Sequence, residues 1–247
     1  MAMIGNGAQS EFQIIAFHRM AGIREVRLYD TDPHATAKLV HNLTSLRIPD
    51  LLVTRCATTL QAVHGADIVT TATADKRNAI ILGPEMITPG MHLNAVGGDG
   101  PGKTELHADI LRRKDSRIVV EFEPQARIEG EIQQLDASSE VAELADVLLG
   151  NRPGRGDLRE VTIFDSVGFA LNDFSALRYL QRLNAEQGAG QDIHLVPMLD
   201  DLKDLFAGLA GAGLREAASP AAEKSSPRVR PERNPERRSS IKEDSVA

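Results

Sequence analysis

The chain has 247 residues, of which 42% are hydrophobic and 4% aromatic, with no Trp, so its core must be built from Leu, Ile, Val and Ala. A formal net charge of −7 argues against a general nucleic-acid binder, and no apolar run approaches the ~20 residues that cross a membrane. Cys56 is the single cysteine, which excludes an internal disulfide and a cysteine-based zinc cluster. With neither a basic nor a long apolar run at the N-terminus, a soluble, cytoplasmic protein without a metal site is expected.

Met1 to Ile4 is a short apolar run, followed at once by Gly5-Asn6-Gly7-Ala8-Gln9-Ser10. A helical pattern comes next, with Phe12, Ile15, Ala16 and Met20 as its apolar positions. Strand, glycine turn and helix in that order suit a dinucleotide. Gly5 makes the tight turn, Gly7 lets backbone approach a pyrophosphate, and the helix N-terminus favours its charge. Ser10 replaces the third glycine of the usual pattern with another small residue. A second strand, Val26 to Tyr29, ends at Asp30, which lies 20 residues past Ser10. That spacing suits an acid that accepts hydrogen bonds from an adenosine ribose, and its charge repels a 2′-phosphate, favouring NAD over NADP.

Residues 33–45 read as a helix with Pro33 in its first turn, Leu51 to Thr54 as a strand, and Thr59 to Val63 as a short helix. Asp67 to Thr73 reads as a strand whose threonines either line a cofactor wall or simply fill the sheet. Leu93 to Val96 is a buried strand that runs into Gly97-Gly98-Asp99-Gly100-Pro101-Gly102. Asp99 therefore sits on a glycine-rich loop past a strand's carboxyl end, where open α/β sheets bind ligands, with Lys103 four residues on. A solvated turn explains an Asp there equally well. Arg117 to Phe122 reads as a further strand, and Glu121, Glu123, Glu129, Glu131, Glu140 and Glu143 as solvated helix faces. Val161 to Phe164 is a strand, and a helix from about Phe169 to Arg182 carries Leu171, Phe174, Leu177 and Leu180 on one face. Between them, Ser166 either faces the cofactor or, like Asp165, caps the helix.

The alternation of strands and helices predicts an α/β fold: a Rossmann-type, doubly wound, mostly parallel sheet with helices on both faces. Residues 1–168 would form the dinucleotide-binding domain. Residues 169–206 would be a helix and return segment left from a second domain. Residues 207–247, poor in apolar side chains, would be a disordered tail.

The motifs resemble the ornithine cyclodeaminase/μ-crystallin family. The resemblance rests on residues 5–13, on Tyr-Asp-Thr-Asp-Pro at 29–33 and on Thr-Ala-Asp-Lys at 73–76. It rests further on residues 91–110 and 123–135 and on Phe-Asp-Ser-Val-Gly-Phe-Ala at 164–170, and it runs from residue 1 to about residue 206. The Asn94–Leu106 segment looks most like the cyclodeaminase branch. The resemblance implies that NAD takes a hydride from L-ornithine, ammonia leaves as the δ-amine closes a ring, and the hydride returns to give L-proline. It implies Asp99 as acid/base at the substrate amine and Val167 as a substrate contact. Ala8, Gln9 and Asp30 would hold the adenosine half of NAD. Thr73, Leu93, Asn94, Ala95, Val96, Lys103 and Ser166 would complete the cofactor site. A ketimine reductase or amino-acid dehydrogenase of the same family, or a non-catalytic NAD-binding chain, are the other readings. Family members carry a segment ahead of this domain that grips the substrate carboxylate and makes the contact of a homodimer. This chain begins at the first strand, so none of its residues is expected to carry those roles, and the expected origin is an internal Met start or a truncated product.

Overall fold

Short apolar runs become strands because parallel strands covered on both faces must be apolar along their whole length. The computed structural model describes residues 1–74 and 79–190. Its strands are β1 (Ala2–Ile4), β2 (Glu25–Tyr29), β3 (Leu52–Arg55), β4 (Ile68–Thr71), β5 (His92–Ala95), β6 (Ser116–Val120), β7 (Ala142–Glu143) and β8 (Val161–Asp165). They form one sheet in the order β3-β2-β1-β4-β5-β8-β6-β7, and each ladder among them is parallel. The chain steps outward from β1 to β3, then returns to the other side of β1 with β4. That reversal opens a crevice between β1 and β4 at their carboxyl ends.

Helices cover both faces. Alternate residues of the first strand point opposite ways. Met1 and Met3 pack with Ile14 of α1 (Ser10–Ala21) and with Leu39 and Leu43 of α2 (Pro33–Ser45). Ala2 and Ile4 pack on the other side with Ala62 and Val63 of α3 (Thr59–Val63) and with Ile110 of α4 (Ala108–Leu111). The doubly wound sheet is thus as expected. Both α2 and α3 keep their expected limits. Asp32 sets the start of α2 by accepting a hydrogen bond from the His34 N–H, with Pro33 at its first position. Beyond β6, α5 (Glu123–Glu129), a 3₁₀ turn (Glu131–Gln134) and α6 (Leu144–Leu148) lead to β8, and α7 (Ala170–Gln187) follows it.

In two helices apolar spacing and burial part company. On α1, Ile15 is half-buried against the core, but Phe12 is 75% exposed and Met20 87%, whereas Ser10 and Ile14 are buried. Polar contacts at the helix start set its rotation. Ser10 Oγ donates to the Gly7 carbonyl, and Glu11 turns toward Lys38 and Asn42 of α2, which leaves Ile14 facing the sheet. The apolar positions of α7 do share one face by spacing, yet Leu171, Phe174, Leu177 and Leu180 are each more than half exposed.

Residues Met1–Gln187 form one compact unit. The return segment beyond residue 190, the tail at 207–247 and the motif residues Asp75 and Lys76 lie outside the described residues. Among the described residues, no helix is long and apolar enough to cross a membrane.

The rotation of α1 is open to a direct test. Ile14→Ala should lower unfolding free energy by about 2–5 kcal/mol in urea denaturation, while Phe12→Ala should stay within about 0.5 kcal/mol of the parent. A larger loss at Phe12 than at Ile14 would mean the helix sits the other way round.

Candidate cofactor and acid–base site

Parallel register sets the height at which each strand stops. Ile4 pairs with Tyr29 on one side and Thr71 on the other. Thr71 pairs with Ala95, Ala95 with Asp165, and Asp165 with Val120. Six strand ends therefore form one row across the sheet. Gly5, Asp30, Thr73, Gly97 and Ser166 all lie just past it. Residues up to 161 positions apart in sequence thus share one edge.

A cleft of about 620 Å³ opens at this edge, lined by Gly5, Gly7, Asp30, Ala72 and Thr73 among others. Gly5 has φ +90°, and a Cβ there would meet the Ala72 carbonyl oxygen at 2.5 Å, so both conformation and space demand glycine. No atom lies within 4 Å of a Cβ placed on Gly7, which leaves that backbone open to an approaching group. Ala8 and Gln9 are exposed at the start of α1, and Gln9 makes no side-chain cap. Asp30 Oδ2 accepts from the Asn6 N–H at 2.6 Å and Oδ1 from the Asp32 N–H at 2.8 Å. Two amides thus pin the carboxylate at the mouth of the cleft. Lys38 donates to the Gly7 carbonyl and to Glu11, bracing the glycine turn from α2. Open backbone, an uncapped helix N-terminus and a fixed carboxylate fit the phosphate and ribose chemistry of NAD.

The Asp99 loop leaves β5 beside this cleft. Lys103 Nζ lies 2.8 Å from Asp99 Oδ1; the Lys103 side chain is 10% exposed and that of Asp99 68%. The lysine is thus rooted in the fold and the acid faces solvent. Leu93 and Ala95 are buried, so their side chains support the site from below, and Asn94 is nearly buried, with its amide 3.5 Å from Thr70 Oγ1. The Val96 N–H donates to the Thr71 carbonyl and the Ser166 N–H to the Ala95 carbonyl, which draws the loops after β4, β5 and β8 together. Ser166 and Val167 are half-buried. Glu121 accepts from the Gly168 N–H just ahead of α7 and from the Asn172 side chain within it.

Three buried carboxylates under this edge escaped the sequence reading. Glu105 is 1% exposed; its Oε1 accepts from the Thr73 N–H and hydroxyl, and its Oε2 from the Gly97 N–H. Glu131 accepts from the N–H groups of Glu105 and Leu106 at 2.7 and 3.0 Å. It is fully buried, which corrects its assignment to a solvated helix face. Asp165 accepts from the Ile132 N–H at 3.0 Å, so it holds the 3₁₀ turn that carries Glu131 rather than capping α7. The sequence held one clue. A Cβ on Gly97 would overlap the Glu105 carboxylate, so a glycine flanking the site marks where an acid packs. Arg127 pairs with Glu123 and Arg152 with Glu140. Among the described residues, no cluster of three His, Cys, Asp or Glu side chains could hold a metal.

Burial pushes the Glu131 carboxyl up to about 8, opposed by its two backbone amides and reinforced by Asp165 and Glu105. Burial likewise raises Asp165 to about 6, against the amides at Glu131 and Ile132. Both groups keep protons in the folded chain that the unfolded chain releases near its ordinary carboxyl values. Their contribution to stability is present in acid and lost as pH rises through about 6 and then about 8. The thermal midpoint should therefore fall by at least about 3 °C between pH 5.5 and pH 8.5, and Glu131→Gln should flatten that decline. A midpoint that rises over this range would show that both groups ionise readily in the fold.

Relatives bear on this geometry. A sequence model of the ornithine cyclodeaminase/mu-crystallin family matches residues 1–187. An ornithine cyclodeaminase of Brucella suis biovar 1 is 53% identical over 206 residues, covering 83% of this chain and 56% of that protein. The chain thus spans little more than half the length of the curated relatives it matches. An archaeal alanine dehydrogenase dimer with bound NAD superposes with a TM-score of 0.69 at 29% identity, over 78% of this chain and 60% of that one. A lysine cyclodeaminase, whose structure concerns recognition of L-lysine, L-ornithine and L-2,4-diaminobutyric acid, gives 0.70 at 27% identity, over 83% and 58%. Fold, cleft and sequence agree, and the chain belongs to the ornithine cyclodeaminase/mu-crystallin family.

Proposed function

We propose that this chain carries the NAD site and the acid/base of an ornithine cyclodeaminase, which converts L-ornithine to L-proline and ammonia. The observation that carries the reading is the meeting of the Gly5 turn, Asp30 and the Asp99–Lys103 pair at one sheet edge. It is supported by the 53% identity to a cyclodeaminase. When bound, NAD supplies a hydride acceptor and then a hydride donor within one cycle, so the net reaction is deamination rather than oxidation.

The chain's own residues bind, orient and move a proton. Asp30 accepts the adenosine ribose hydroxyls, while Ala8, Gln9 and the start of α1 take the adjoining phosphates. Thr73, Ser166 and the backbone from Leu93 through Asn94 and Ala95 to Val96 complete the cofactor wall. Asp99 exchanges a proton with the α-amine of ornithine: the amine must be neutral for the α-carbon to give up its hydride, and it must be protonated to depart as ammonia. Lys103 holds that carboxylate at one oxygen and leaves the other for the amine. Val167 borders the substrate. A homodimer, a role in proline biosynthesis and a cytoplasmic setting belong to the same proposal.

Fluorescence titration should show NADH binding and NADPH binding at least about 10-fold weaker, because Asp30 repels a 2′-phosphate; Asp30→Ala should narrow that gap. With NAD⁺ supplied below the amount of L-ornithine, proline and ammonia should form in equal amounts that exceed the NAD⁺ present. Asp99→Asn should abolish both products and change NADH affinity by only a few-fold. Near-normal turnover in that variant would remove Asp99 from the mechanism. NADH that accumulates in step with amino acid consumed would mark an amino-acid dehydrogenase, the activity of the NAD-bound archaeal relative.

A further inference from the structure

Glu105 is a carboxylate buried at 1% exposure, and among the described residues the hydrogen bonds to its oxygens come from uncharged donors. Burying such a group is costly, and apolar side chains could join the same loops at lower cost. Apolar packing cannot orient a hydroxyl, and that is what Glu105 does. The Thr73 hydroxyl donates to Oε1 at 2.6 Å and the Thr73 N–H donates to the same atom at 2.7 Å. With its proton committed there, the hydroxyl can only accept hydrogen bonds from anything entering the cleft that Thr73 lines. The other oxygen takes the Gly97 N–H at 3.1 Å, where the chain leaves β5 for Asp99. One side chain therefore joins the loop beside the cofactor cleft to the loop that carries the acid.

The brace is itself supported from behind. The Glu105 N–H is held by Glu131, and the turn bearing Glu131 is held by Asp165 at the end of β8. The loops after β4, β5 and β8 are thus linked by three buried acidic side chains in series.

We propose that Glu105 is a positioning residue that makes Thr73 an obligate hydrogen-bond acceptor toward the cofactor and clamps the start of the Asp99 loop to it. The donor that Thr73 meets is a ribose hydroxyl or carboxamide N–H of the nicotinamide nucleoside, so this inference rests on reading the cleft as an NAD site. The clamp itself needs no cofactor.

The test uses the full 247-residue chain with Glu105→Gln, Thr73→Val, Thr73→Ser and the double variant Glu105→Gln/Thr73→Val. Hydrogen exchange without cofactor reads the clamp. In Glu105→Gln the amides of Thr73 and Gly97 should exchange at least about 10-fold faster while those of β1 and β2 hold their rates. Acceleration shared by every strand would mean a general loss of stability and would overturn the clamp. NADH titration reads the acceptor. Thr73→Val, an isosteric change at a half-buried site, should weaken NADH about 10-fold, and Thr73→Ser should restore most of that loss. The double variant should bind no worse than the weaker single one, since both break the same contact. Additive losses, or unchanged affinity in Thr73→Val, would overturn the acceptor role. Should Glu105→Gln fail to fold, the Thr73 pair still decides it. A parent chain that binds no NADH overturns the cofactor reading and the acceptor role together, while exchange at Thr73 and Gly97 still decides the clamp.

Discussion

The register of the parallel sheet is the constraint on which the site depends. Ile4, Thr71, Ala95 and Asp165 stand in one row, so the glycine turn, the cofactor wall and the acid loop emerge at one height. A slip of one residue in any of these strands would exchange its two faces and bury the wrong side chains. The apolar faces of β1 guard against that. Met3 and Ile4 belong to different cores, so a slip would move each to the wrong side of the sheet. Hydrophobic burial thus fixes the position of polar groups it never touches.

Above that row the interactions change character. Between the loops past β4, β5 and β8, cohesion comes from carboxylates and backbone amides rather than from apolar packing. Such contacts are directional, and they keep their geometry only if each donor is met. Thr71 Oγ1 and Asp165 Oδ1 are buried without a partner, so the network is taut rather than complete. An orphaned polar atom of this kind destabilises by roughly 1–3 kcal/mol. Among the described residues, these two atoms and Asn6 Oδ1 all lie at or just past the carboxyl ends of strands.

This division explains what could be read from the sequence. The places of Gly5, Asp30 and Asp99 at the sheet edge are legible because they depend on local order: a strand, a turn and a helix, or a strand and a glycine loop, contiguous in the chain. Helix α2 is legible for the same reason, since Asp32 and Pro33 mark its start within two residues. Glu105 and Glu131 are not legible. Glu105 finds Thr73 across 32 positions, and Glu131 finds the Glu105 amide across 26. Nothing near Glu131 distinguishes it from the solvated glutamates around it, because what removes it from water lies elsewhere in the chain. The rotation of α1 is not legible for a related reason. Its rotation follows the hydrogen bonds of Ser10 and Glu11, and hydropathy alone would bury Phe12 and Met20.

The strand order also bears on how the molecule comes into being. Among the described strands, β6 and β7 reach the rest of the sheet only through β8, which is the last to be made. About 40 residues separate Val120 from Val161. At ribosomal speeds of about 5–20 residues per second, β5 and β6 wait roughly 2–8 s with unpaired edges facing the gap that β8 will fill. During that interval β6 and β7 have no ladder to the other described strands. Insertion of β8 then joins the halves of the sheet and, through Asp165, sets the turn beneath the acid loop. Assembly of the sheet and maturation of the site are therefore a single late event in biosynthesis.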